Sequence, residues 1–521
     1  MKFIMKKTIT LLALLLSTVA IYAQDPNILW QRTIGGSGSD KLWSIIQTSD
    51  GGFFAGGNSD SNTSGEKNED SRGGDDYWVL RLDSDGNILW QRTFGGSGDD
   101  YLLSVQQTID EGFILGGNSN SNISGDKNEN SQGDLDYWII KLDNSGNIQW
   151  QNNIGGNGID TVNKIVETDE GNFVIAGHST SSISGDRTVY KNGFRDIWLV
   201  KLDITGDILW QKSYGYADVA LTGFEKTIDG GFILSSTIFG ITPIHDAFWA
   251  LKIDSLGNQI WSKVIGGDKS DWFPKINPTT DGGYIMAGAS DSDAFGDKSE
   301  NSKGSFDYWV LKLDENGNII WENTIGGLEP EQSDSIIQCE DGGYVVCGYS
   351  SSNISGDKTE NSLGDSDFWF VKLNNVGIIE WQNTIGGEGR EYGGRSLQTT
   401  DGDFVTFGSS DSNISGDKTE NSRGGYDYWI VKHDSTLDVQ ENTFANAIFI
   451  YPNPVNNLLQ INTQAQTIDK ITIYSVLGSR VRQLDVNAIS PTVDVSSLAS
   501  GVYYVQLYSG KNVALKKFVK E

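Results

Sequence analysis

Acidic residues recur at one fixed offset along this chain. Ten residues after successive members of a tryptophan series stand Asp40, Asp100, Asp160, Asp271, Glu331 and Glu391, each a few residues past a Gly-Gly pair. After Trp210 the same offset falls on Ala220. Carboxylates among Asn, Ser and Gly supply the oxygens that a hard cation such as calcium takes. No segment, however, has the spaced Asp-x-Asp-x-Asp-Gly pattern ending in Glu that a calcium loop uses. Asp and Asn also cap their own turns without metal, so calcium and self-capped turns are both open readings of these six positions. A second chemistry is stacking on sugar rings, for which Tyr101, Trp272 and Tyr392 lie in the same connections. His245 joins them as a candidate ligand-binding residue because it lies in an unusually short loop.

Catalytic signatures are missing. The three histidines, His178, His245 and His433, fall in different repeat units, and there is no HExxH, GxSxG, phosphate loop or Cys/His zinc spacing. No catalytic residue is assigned. A glycosidase or lyase working through carboxylates alone stays open, because acids are everywhere in the chain. Cys339 and Cys347 flank a turn and are read as unbridged, packed thiols.

The elements that position these residues follow from two tryptophan ladders. Trp30, 90, 150, 210, 261, 321 and 381 form one, and Trp78, 138, 198, 249, 309, 369 and 429 the other. Both step by 60 residues except for one step of 51. Each unit holds four strand-like runs, in the first unit Ser44–Thr48, Phe53–Gly57, Tyr77–Asp83 and Ile88–Phe94, with Ser49–Gly52 and Ser84–Asn87 as hairpin turns. A four-stranded unit apolar on both faces must bury them against neighbours. The prediction is an all-β, seven-bladed β-propeller of four-stranded blades over residues 24–434. An open solenoid would need polar-faced caps, which neither end of the array provides. The array opens on a fourth-type strand at Ile28 and ends on a third-type strand at Tyr428–Lys432, so the N-terminal strand is expected to close the ring.

Alternating strand direction puts the two hairpin turns on one face of the disc. The long second-to-third-strand loops and the blade-to-blade connections share the other. The long loop centres on Ser-Gly-Asp-Lys-x-Glu-Asn-Ser-x-Gly, as at Ser415–Gly424. In the fourth unit it has lost nine residues and reads Ile238 to His245. Binding is expected on this loop-rich face. The basic residue three after each second-ladder Trp, Arg81 through Lys432, is read as structural because it recurs in every unit.

The ends differ from the array. Lys2, Lys6 and Lys7 precede an apolar run ending near Ala23, the pattern of a secretory signal peptide over residues 1–23. No later segment is long and apolar enough to span a bilayer as a helix. Between residues 24 and 442 there are 29 basic against 65 acidic residues, and from 443 onward 7 against 4. An acidic body of this kind disfavours nucleic acid, and the chain is expected to be a monomer.

After a linker at 435–447, residues 448–521 change pattern to short alternating strands, read as a small Ig-like β-sandwich. They open on Tyr451-Pro452-Asn453-Pro454, continue through Gly478, reach Gly501-Val502-Tyr503-Tyr504-Val505, and end on Lys511, Lys516, Lys517 and Lys520. This segment resembles the type A C-terminal sorting domain of type IX secretion cargo. The resemblance implies a Gram-negative source, Sec export to the periplasm, passage across the outer membrane, and handling by the secretion machinery and its sortase. The product would then be released or attached at the cell surface. The function expected is ligand binding or adhesion to a glycan, surface or matrix partner, with a propeller-type carbohydrate-active enzyme as the alternative.

Overall fold

The computed structural model describes residues 26–215, 217–240, 245–434, 448–463, 466–475, 480–509 and 512–521. The expected signal peptide, the linker 435–447, positions 241–244, Gly478 and Lys511 lie outside the described residues. The chain divides into two compact units, Asp25–Ser435 and one holding Thr436–Glu521.

The first unit is a seven-bladed β-propeller, all antiparallel sheet. Blade one is Asp40–Gln47, Phe53–Ser59, Asp76–Leu82 and Ile88–Phe94. Blades two to six repeat the order, each from its own four consecutive strands. Blade seven comprises Glu391–Gln398, Phe404–Ser410 and Asp427–His433, and its fourth strand is Ile28–Ile34 from the other end of the array. The register runs from Ile28 opposite His433 to Ile34 opposite Tyr428.

Burial explains why these runs read as strands. The second and third strands of blade one are buried along their whole length, so both faces are apolar. The first strand mixes buried and half-buried positions, and the fourth adds an exposed one at Leu89. Each first strand also starts earlier than its apolar pattern suggests, at Asp40 rather than Ser44. A bulge at Trp43, between Leu42 and Ser44, breaks the period-two alternation that would have revealed it.

Side chains from the ladders lock blade to blade. Tyr77 Oη donates to the carbonyl of Trp138 in the next blade at 2.9 Å, and Tyr428 Oη donates to Trp78 at 3.0 Å, joining blade seven to blade one. Each third-strand tryptophan is buried, and most donate their Nε1–H to a residue of the fourth strand thirteen positions on, as Trp78 does to Gln91. In blade seven that partner is Gln31, on the N-terminal strand. On the hairpin face every third-strand base meets an acid of the first hairpin, for example Lys141 with Asp110 at 2.9 Å and Lys432 with Asp401 at 2.7 Å. The two cysteines are free and buried.

The second unit has a three-stranded sheet, Phe449–Tyr451, Leu458–Asn462 and Thr492–Asp494, and a four-stranded sheet. The latter is ordered Arg480–Ile489, Thr467–Ser475, Gly501–Ser509 and Asn512–Lys520. Ile461, Ile471, Val493, Val505 and Phe518 share one core between the sheets.

Candidate functional site

The six repeated acids head the first strands of their blades and are 0 % exposed. Asp40 Oδ2 accepts from the Gly36 N–H at 2.6 Å and from Ser61 Oγ at 3.0 Å. Asp100 repeats this with Gly96 and Ser121, and Asp160 with Gly156 and Ser181. Asp271 takes Gly267 at 2.8 Å. Glu331 and Glu391 spread over two oxygens, Glu391 accepting from Gly387, Ser410 and Ser412. The second glycine of each pair is needed because the serine lies so close: a Cβ at Gly36 would stand 2.6 Å from that of Ser61. The acids therefore fasten the blade-to-blade connection to the long loop. Asp40, Asp100 and Asp271 each keep a second, buried oxygen, Oδ1, without a hydrogen-bond partner, and the described residues contain no group of three metal-ligating side chains. Burial outweighs the hydrogen bonds and pushes Asp271 up to about 6, and Glu331 and Glu391 up to about 7.

A second set of buried acids escaped the sequence reading. Asp76, Asp136, Asp196, Asp307, Asp367 and Asp427 open the third strands and are also 0 % exposed. Asp76 is pushed up to about 7, mainly by burial, with Asp100 of the next blade adding to it. The signal was available, since each lies two residues before a second-ladder Trp. Blade four lacks both sets. Its strand Asp218–Lys226 is one residue out of step with the offset from Trp210, so Val219, rather than Ala220, occupies the acid's place. Val219 pairs with Ile238, where Asp40 pairs with Ser59, and Ala247 opens the third strand.

The lysine of the long loop is likewise internal. Lys67, Lys127, Lys298, Lys358 and Lys418 are buried over the faces of Trp78, Trp138, Trp309, Trp369 and Trp429, and Arg187 does the same at Trp198. Lys127 Nζ donates to Ser119 Oγ at 2.6 Å. Much of the loop's polar chemistry is thus spent on its own blade.

The predicted ligand-binding residues separate into groups. Trp272 Nε1 donates to Asp246 at 2.7 Å, and its ring stacks on Phe306 at 4.6 Å. Asp246 also accepts from Gly240 and adjoins the exposed His245, so the short loop and Trp272 are brought together. Tyr392 is 45 % exposed and belongs to a different cluster, edge-on to Trp43 at 5.8 Å and near Tyr349. Tyr101 is half-buried. His178 and His433 face Thr161 and Thr406 inside blades, and burial pushes them down to about 3 and about 4.

A further cavity, unread in the sequence, lies where the seven first strands converge. Its volume is about 310 Å³, and its wall includes Trp43, Lys164, Glu225, Lys275, Asp334 and Arg395. Lys164 pairs with Glu225. Four residues past the strand-heading position the blades carry Ser44, Ser104, Lys164, Gly223, Lys275, Ser335 and Arg395. The repeat is broken at this height.

In the second unit the Tyr451–Pro454 segment is tied to the last strand. Asn453 Nδ2 donates to the Lys517 carbonyl at 3.1 Å, and its Oδ1 accepts from the Val519 N–H at 2.8 Å. Gly501 starts its strand, and Tyr503 stacks on Phe518 and donates to the Ala499 carbonyl at 2.9 Å. Lys516 is half-buried, Lys517 exposed and Lys520 buried.

One unit is a repeat propeller and the other a small two-sheet β domain. Residues 449–521 match the family described as a secretion system C-terminal sorting domain. The chain is cargo of the type IX secretion system, exported to the cell surface or secreted. Among the described residues no helix is long and apolar enough to cross a membrane. No curated protein matches the chain. Solved structures that resemble it include a protein of unknown function from Dyadobacter fermentans, 9 % identical, covering 78 % of this chain and 99 % of its own, with a TM-score of 0.40. Others are the Trypanosoma rangeli sialidase (8 % identity, 84 % and 86 %, TM-score 0.35) and the Neurospora crassa Pan2 WD40 domain (10 %, 61 % and 91 %, TM-score 0.32).

Proposed function

We propose that this protein is a binding or adhesion cargo, displayed or released by its bacterium, that engages a glycan or matrix ligand through the loop-rich face beside blade four. One observation carries the reading. Six blades use their loop acids, serines and lysines to fasten themselves internally, whereas blade four replaces those acids with Val219 and Ala247. Its short loop leaves His245 exposed beside Asp246, which holds the ring of Trp272, itself backed by Phe306. A rim with one low, apolar, aromatic stretch suits a ligand that arrives from that side.

The test is a glycan and matrix-protein array, run with and without chelator, followed by variants against the best partner. Trp272→Ala is expected to weaken binding by about tenfold or more, the size typical of an aromatic anchor. A change at the opposite-face turn Asp85-Gly86 is expected to leave binding as it was. Loss of binding on changing Asp85-Gly86, with Trp272→Ala harmless, would place the ligand on the wrong face for this reading. Turnover of a polysaccharide probe would favour the enzyme instead.

A further inference from the structure

The cavity on the propeller axis is chemically unlike the rest of the molecule. The array carries a large acidic excess, yet three of the five charged groups on this wall are cations. One of them, Lys164, is neutralised by Glu225 from the neighbouring blade. The other two stand on blades five and seven, with Asp334 of blade six between them in the order of the blades. Lys275 Nζ donates to the Thr222 carbonyl at 2.7 Å, and Arg395 donates to the Trp43 carbonyl with its guanidinium over the Trp43 ring at 5.5 Å. Neither cation is in ion-pair contact with a carboxylate among the described residues, although both act through space on Asp334. Asp334 Oδ1 accepts only a long bond of 3.5 Å from Gln332, and its buried Oδ2 has no partner.

The three side chains are half-buried, and the buried Asp334 Oδ2 without a partner is costly for the fold alone, because a buried polar atom is penalised unless something satisfies it. Lys275 and Arg395 also occupy the position where most blades carry a neutral residue, such as Ser44 or Ser104, and Asp334 the bulge position where other blades carry Trp43 or Leu103. We infer that the axial cavity binds a small hydroxylated carboxylate, the chemistry of a sugar acid, with Lys275 and Arg395 holding the carboxylate and Asp334 accepting from a ligand hydroxyl. The three groups sum to a single positive charge, which matches a monoanion. A phosphate would bring more negative charge beside Asp334 and fewer O–H donors for it. The remaining wall suits a polyhydroxylated molecule. Ser44 and Ser104 accept backbone N–H bonds from the next blade and keep their own O–H to donate, and Asn163 and Asn277 add amides. A volume of about 310 Å³ lies at the small end of ligand sites. This site is separate from the blade-four rim and does not depend on it.

The experiment is calorimetric titration of the exported chain with D-glucuronate, D-glucose and inorganic phosphate in parallel. Glucuronate is expected to bind saturably at one site, with glucose and phosphate weaker by about tenfold or more. Lys275→Met and Asp334→Asn are each expected to weaken glucuronate by about tenfold, as loss of one charge-assisted contact does. Trp272→Ala, on the rim, should leave the titration unchanged. The inference is overturned if glucuronate does not saturate, if glucose or phosphate matches it, or if correctly folded Lys275→Met binds it like the parent. Should Lys275→Met fail to fold, the comparison of the three probes on the parent chain decides.

Discussion

The buried carboxyls make stability depend on pH in a direction that surface charge does not suggest. Burial pushes Asp271 up to about 6, and Asp76, Glu331 and Glu391 up to about 7, whereas unfolded carboxyls titrate near ~4. The folded chain therefore holds these protons more tightly, and their contribution is full below about pH 4 and lost as pH rises through about 6 to 7. The hairpin acids run the other way. Against the push of burial, hydrogen bonds from Thr279 and Lys312 hold Asp281 at about 2, so its contribution is present above about pH 4 and lost as pH falls toward 2. Thermal melts are expected to be highest near about pH 4 and to fall by several degrees toward about pH 7. Glu331→Gln, which stays neutral, should flatten the alkaline side. A parent profile that rises steadily to pH 8 would show these groups to be ionised in the fold. The six repeated acids were legible in the sequence. Their burial was not, because the serines that receive them lie about twenty residues away and look like ordinary loop polarity.

At the scale of the element, the strands and hairpins were readable wherever turn composition bounded an apolar run, as at Ser49–Gly52 before Phe53. The first four residues of each first strand were hidden by the bulge, and with them axis-lining bulge residues such as Trp43 and Asp334. The long loops hid their packing: nothing in a run such as Ser-Gly-Asp-Lys marks its lysine as a buried strut over a tryptophan. Lys127→Ala should therefore cost about 2 kcal/mol, the loss of a buried, hydrogen-bonded contact together with its packing. Lys127→Met, keeping the aliphatic stem over the ring, should recover part of that. Urea unfolding measures both, and an unchanged midpoint for the alanine variant would return the loop lysine to the surface.

At the scale of the whole molecule, seven blades were visible in the ladder spacing, and so was the strand shared between the two ends of the array. Ile28–Ile34 supplies the fourth strand of blade seven, with Gln31 receiving the indole N–H of Trp429. Deleting residues 24–35 removes that strand and uncovers Trp429, so the melting temperature should drop by about 5 °C or more. An unchanged melt would mean that the pairing contributes nothing. The same strand sets a timetable for folding. Ile28 and His433 are register partners about 400 residues apart, and a chain emerging at roughly 5–20 residues per second keeps the two ends apart for tens of seconds. Throughout that wait, the first strand to appear is an unpaired edge whose natural partner has not yet been made. Once blade seven is made, the waiting first strand of a neighbouring molecule can complete it in the same register, so exchange between copies competes with self-completion in proportion to their concentration.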